Sequence, residues 1–232
     1  MKNTSAKALK PRKTPRQARS VATVDAIFEA TIQVLLAEGA RGLTTSRVAE
    51  RAGVSVGTMY QYFPHKMSLL YAVLQQHLEA VAGTVEAACR QNRGQPLAAM
   101  AEQLVKAYVD AKTANAEVSR ALFQVAVEMD TAELTSGISK RISTAATELL
   151  ASAADVRFDD LPAVTQTLLA ALTGNVRTVF ERGAKPAQLK VMRQQLTTMC
   201  QAYLLAAAVP TLTVRPIDQT ANYGQPWPEG MR

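Results

Sequence analysis

The stretch TTSRVAERAGVSVGTMYQYFPHK, Thr44 to Lys66, constrains the fold of this chain more than any other. It holds two short helical patterns hinged at Gly53. In the first, Val48, Ala49 and Ala52 make one apolar face behind Thr44 or Thr45, either of which suits a helix N-cap. In the second, Met59 and Phe63 stand four residues apart and turn inward with Val54. Ser55 suits its N-cap and Pro64 closes it. Upstream, Val24, Ile27, Phe28, Leu35 and Leu36 recur at three- and four-residue steps until Gly39 and Gly42. Downstream, Leu69, Leu70, Val73, Leu74 and Leu78 open a long helix near Lys66. The spacing therefore predicts three helices around a tight turn, followed by a long fourth.

Helical periodicity continues over roughly 96–113, 116–128, 132–153, 161–182 and 186–208, without strand alternation. Breaks fall at Gly94 with Pro96, EMDTAE, DVRFDDLP and RGAKP. The expected class is all-α. Residues 1–19 carry no acid and two prolines and read as a disordered basic arm. Residues 210–232 hold four of the ten prolines and the single tryptophan, Trp227, and read as a mobile tail. Between them the expected units are 20–66 and 67–209.

Charge separates those two units. The chain carries a net +7, and residues 1–66 hold eleven Lys and Arg against four acids. The remainder is balanced at fifteen of each, so the whole excess lies on the N-terminal segment. A basic pole on one small unit is the footprint of a polyphosphate partner. Enzyme chemistry has few parts to work with: no P-loop, no dinucleotide glycine fingerprint, no His-Glu-x-x-His, and only two histidines, His65 and His77. Asp159 and Asp160 precede a helix and read as capping charges. Cys89 and Cys200 read as two buried thiols of a cytoplasmic protein. No catalytic residue, metal or cofactor is expected. No apolar run reaches bilayer length, and the basic arm lacks the apolar face of a membrane anchor, so no membrane partner is expected either.

Two short helices joined through Gly53 are the minimum that presents one helix to a DNA major groove while another braces it. Ser55, Val56, Gly57 and Thr58 make the first turn of the presented helix, where free backbone N–H groups attract phosphate. Gly57 lets the backbone approach a duplex, Val56 suits a thymine methyl and Thr58 suits a base edge or phosphate. Tyr60 and Tyr62 project hydroxyls, Lys66 adds a cation, and Thr45 at the head of the bracing helix reaches the same backbone. Arg47 and Arg51 read as solvated charges and His65 as a loop residue.

The segment LTTSRVAERAGVSVGTMYQYFPHKMSLL, Leu43 to Leu70, resembles the TetR family of transcriptional regulators, and the resemblance covers about residues 20–75. It implies an N-terminal three-helix helix-turn-helix DNA-binding domain and a C-terminal helical ligand-binding and dimerisation domain. Its DNA-contacting residues match Thr45, Val56, Gly57, Thr58, Tyr60, Tyr62 and Lys66. Gln61 departs from the family pattern where an aromatic is common, and Met67 where an acid is common. The resemblance implies a homodimer on a palindromic operator of double-stranded DNA, paired through the helices near 161–182 and 186–208 and released by a small-molecule effector. Ala163, Ala170, Ala171, Gly174 and Ala202 would let those helices approach closely. Met100, Leu104, Tyr108, Leu122, Phe123, Val127, Thr167 and Phe180 are the candidate pocket residues, and their apolar character suits a hydrophobic effector. Glu117, Arg120, Gln124 and Glu128 read as a solvated stripe. The alternative is a DNA-binding regulator without a small-molecule effector, controlled by a protein partner or by its abundance.

Overall fold

The computed structural model describes residues 18–181 and 186–211, with side chains placed for 20–179 and 187–211. Most of the basic arm, the tail from residue 212 with Trp227, and the Phe180 side chain lie outside the described residues. Among the described residues nine helices run in order: α1 Ala18–Gly42, α2 Thr45–Arg51, α3 Val56–Tyr62, α4 Lys66–Gln91, α5 Leu97–Thr113, α6 Ala116–Val127, α7 Ala132–Ala151, α8 Leu161–Glu181 and α9 Pro186–Ala207. Two short strands, β1 Val156–Arg157 and β2 Val209–Pro210, pair antiparallel, with Val156 opposite Pro210 and Arg157 opposite Val209. Sequence periodicity carried no sign of this pair, because two residues show no alternation. Pro210, read as the start of the mobile tail, is held in it.

Two apolar cores organise the helices. The head core gathers Ile27, Leu43, Val48, Met59, Phe63 and Leu69, all buried, and recruits Val118, Leu122 and Val125 from α6. The body core gathers Val85, Leu97, Met100, Leu104, Leu149 and Leu172 with Leu204 of α9. Helix α4 runs through both, burying Leu69, Leu70, Val73 and Leu74 in the first and Val81, Ala82, Val85 and Cys89 in the second. By length and mean hydropathy, residues 20–42 of α1 suffice to cross a bilayer, although Asp25, Glu29, Glu38 and Arg41 interrupt the apolar run. That helix is amphipathic, however: it buries Val24, Ile27, Ala30, Val34 and Leu35 and leaves Asp25 outside.

Polar side chains lock the packing at helix ends. Asp155 Oδ1 accepts from Leu97 N at 3.0 Å and so caps α5 from a distant loop. Asp160 Oδ1 accepts from Ala163 N at 3.0 Å, the expected capping role, while Asp159 pairs with Arg157. Arg141 makes a two-pronged pair with Glu86, Nε to Oε1 and Nη2 to Oε2 both at 2.8 Å, tying α7 to α4. That guanidinium holds the Glu86 carboxyl below the usual carboxylate range. Arg193 of α9 pairs with Asp110 of α5. Cys89 and Cys200 are free and buried, and desolvation pushes each thiol up to about 11.

Candidate nucleic-acid interface and ligand cavity

Thr44 caps α2, its Oγ1 accepting from Arg47 N at 3.3 Å, which leaves Thr45 as the first helical residue. Thr45 is buried, and its Oγ1 lies 3.2 Å from the Tyr60 hydroxyl, so α2 and α3 share a hydrogen bond at the open surface. Gly53 has φ 67°, a left-handed turn that favours glycine, and the chain reverses there. Ser55 caps α3, accepting from Thr58 N at 3.0 Å and lying 2.9 Å from Thr58 Oγ1. Met59 is fully buried and pins the helix to the head core.

With Met59 inward, α3 turns Val56, Gly57, Tyr60 and Gln61 to the outside, at helical steps of one, four and five. Val56 and Tyr60 are 42% and 45% exposed. Gly57 is helical and open: a Cβ built there would meet only Ser55 Oγ, at 3.7 Å. No described neighbour requires glycine at this position. Thr58 is half-buried behind this face, and Tyr62 is a half-buried packing residue whose ring centroid lies 6.3 Å from that of Phe63. Lys66 Nζ donates to Ala40 O at 2.9 Å, closing the end of α1.

Three side chains differ from their sequence reading. His65 is the N-cap of α4: its Nδ1 accepts from Ser68 N at 3.1 Å, and Ser68 Oγ accepts from His65 N at 3.3 Å. A histidine cap followed by serine departs from the usual Ser/Thr-x-x-Glu/Gln pattern, so spacing alone carried no signal of it. Arg47 pairs with Glu38 and donates to Gly42 O at 3.2 Å, and Arg51 Nε donates to Gln33 Oε1 at 2.6 Å. These two arginines clamp α2 onto α1. Gln61, four residues from Gly57, joins the open face, a position its helical spacing already implied.

A second site lies between α4, α5, α6, α7 and α8, where two cavities of about 360 and 590 Å³ share Leu78, Tyr108, Lys112, Thr135 and Thr173. Tyr108, Leu122, Phe123 and Val127, all expected in a pocket, line the first. Met100 and Leu104 instead fill the body core, 0% and 1% exposed, because their turns of α5 face neighbouring helices. Thr167 is exposed on the outer side of α8, and Phe180 lies outside the described side chains. Glu117, Arg120, Gln124 and Glu128 are not buried, in keeping with a solvated stripe.

Polar groups that sequence reasoning did not select come from three helices: His77 from α4, Lys112 from α5, and Thr173 and Arg177 from α8. Ser119 Oγ donates to Lys112 O at 2.8 Å and lies 3.2 Å from His77 Nε2. The serine proton being spent on that carbonyl, His77 donates from Nε2. Burial, helped by the Lys112 ammonium, pushes His77 down to about 4. Desolvation lowers Lys112 from the usual lysine value and pushes the Tyr108 phenol up to about 12. The Arg177 guanidinium lies 5.3 Å from the Phe123 ring centroid, a cation–π contact that closes one wall.

Comparison with known proteins separates along the same lines. Residues 27–73 match the family described as bacterial regulatory proteins of the tetR family. Residues 96–204 match the tetracyclin repressor-like C-terminal domain. YvkB, an HTH-type transcriptional regulator of Bacillus subtilis, is 41% identical over 51 residues, 22% of this chain and 27% of the relative. KstR, an HTH-type transcriptional repressor of Mycolicibacterium smegmatis, is 40% identical over 55 residues, 24% of this chain and 27% of the relative. The chain thus spans about a quarter of the length of these relatives. A TetR-family regulator structure from Mesorhizobium loti superposes with a TM-score of 0.67 at 15% identity, covering 83% of this chain and all of the other, a likeness of fold. Head and body thus match two parts of one architecture in their proper order along the chain, and the chain belongs to the TetR family of transcriptional regulators.

Proposed function

We propose that this chain is a repressor that binds a palindromic operator as a homodimer and leaves it when a small molecule fills the cavity between α4 and α8. Regulators of this family bind DNA and are not enzymes. The observation that carries the reading is the outward face of α3, where Val56, Gly57, Tyr60 and Gln61 are held open around a glycine that no described neighbour demands. A duplex would meet Val56 and Gln61 at base edges and the Tyr60–Thr45 hydroxyl pair at the backbone, with the free N–H groups of the first turn beside Ser55. Thr58 supports the Ser55 cap. Lys66 and Tyr62 act mainly by holding the head together.

Support for dimerisation comes from the outer faces of α8 and α9. Ala163, Thr167, Ala170, Gly174 and Thr178 are exposed at three- and four-residue steps along α8. Val191, Met199 and Leu205 are exposed apolar side chains on α9. Small residues on one helix and an apolar stripe on the next suit close pairing with a second copy. Coupling would run through α4, which starts at the head and supplies Leu74, His77 and Leu78 to the cavity. Helix α6 offers a second route, because Leu122 belongs to the head core and to the cavity wall at once. A ligand that favours one arrangement of α4 and α6 shifts the separation of the two heads.

Selection of bound duplexes from random DNA by the purified chain tests this reading. The expected product is a palindrome whose half-sites are a helical turn or more apart. Recovery of no motif, with weak and steeply salt-dependent binding, would leave only a generic polyanion surface. An operator whose occupancy no small molecule alters would favour control by a protein partner or by abundance.

A further inference from the structure

Among the described residues, the two adjoining cavities are lined without a single Asp or Glu, although the chain carries nineteen. Their linings contain Lys112, Lys140, Arg177 and His77. Lys112 lines both cavities, and among the described residues no carboxylate stands within ion-pair distance of its ammonium. Its place in the last turn of α5 offers the partial negative charge of a helix end, but no counter-ion. An ammonium desolvated without a partner is costly to keep charged, and an anion held in the cavity would offset that cost. His77 cannot supply it, because an imidazole is neutral or cationic and never carries the missing negative charge.

The surroundings of Lys112 set the rest of the ligand's chemistry. Tyr108 places its hydroxyl in the wall that the two cavities share with it, whereas the Thr135 and Thr173 hydroxyls donate to Thr131 O and Leu169 O of their own helices. On one side the lining is apolar, with Leu74, Leu122, Phe123 and Ala126. Resting on the effector-controlled reading above, we propose that the ligand is an amphiphilic organic carboxylate, its headgroup paired with Lys112 beside the Tyr108 hydroxyl and its apolar body lying against α4 and α6. Lys112 is the ammonium that both cavities share, so it fixes where a negative headgroup sits. Cavities of this size admit a ligand of drug-like dimensions. The apolar body would press on Leu122, the residue that also belongs to the head core, so occupancy reports directly to the DNA-binding unit.

The test is calorimetric titration of the full chain with paired probes: decanoate against decanol, dodecanoate against dodecanol, and 4-phenylbutyrate against 4-phenylbutanol. At least one carboxylate should bind about tenfold or more tightly than its alcohol, the scale of one charge-assisted contact. Lys112→Met, which keeps the aliphatic stem, should erase that preference, and Lys112→Arg should restore most of it. Thermal unfolding of both variants checks that they fold. Equal binding of acid and alcohol, or an unchanged preference in Lys112→Met, overturns the assignment while leaving effector control standing. No binding by any carboxylate overturns it as well; if the selected operator is then bound and released by some neutral or cationic compound, the functional reading survives alone.

Discussion

Gly57 is the residue at which fold and function make opposite demands. A glycine inside a helix costs about 0.5–1 kcal/mol relative to alanine, and here an added Cβ would find only an ordinary contact with Ser55 Oγ. Gly57→Ala should therefore raise the melting temperature by a few degrees. The same methyl would stand between the α3 backbone and a duplex, so operator affinity should fall about tenfold or more. Paired melting and DNA titration of one variant read both signs, and an alanine variant that melts higher yet binds unchanged would remove Gly57 from the interface. At this scale much was legible in the sequence: Ser55 as a cap, Met59 as the inward anchor and Gly53 as the turn all follow from local spacing. The pairing of Arg47 with Glu38, of Arg51 with Gln33 and of Lys66 with Ala40 O was not, since each joins α2 or α4 to a turn of α1 whose direction spacing leaves open.

Between elements, burying His77 where α4 meets α6 makes that joint pH-dependent. Burial and the nearby Lys112 ammonium hold His77 at about 4 against its ordinary 6.5, so the unfolded chain takes up that proton first. Stability from this joint rises with pH across that window and is lost as pH falls through it. Melting temperature followed from neutral pH down to about 4 should decline more gently in His77→Gln than in the parent chain. Parallel curves would show that the buried imidazole does not contribute. Helix limits were legible to within a residue or two, as at α6, expected over 116–128 and found at Ala116–Val127. Repeating apolar spacing over several turns carries that information. The β1–β2 pair escaped because its stability comes wholly from a distant partner.

For the whole molecule, the proposed dimer puts the outer stripe of α8 against a second copy. Gly174 is exposed there, and an added Cβ would meet nothing within 4 Å among the described residues, so the single chain tolerates a larger side chain. Gly174→Leu should fold normally yet shift sedimentation from dimer to monomer and weaken palindrome binding more than half-site binding. A variant that remains dimeric would move the interface elsewhere.

The order of helices, the turn at Gly53, the basic first 66 residues and the likeness to a regulator family were all set by short-range pattern and charge, which a linear chain displays openly. Tertiary structure alone decided that Met100 and Leu104 fill a solid core while Lys112 and His77 border a cavity. A helix stripe says which residues turn inward. Whether they meet apolar neighbours or empty space depends on where the other helices cross, and that is settled only when the two cores pack around α4.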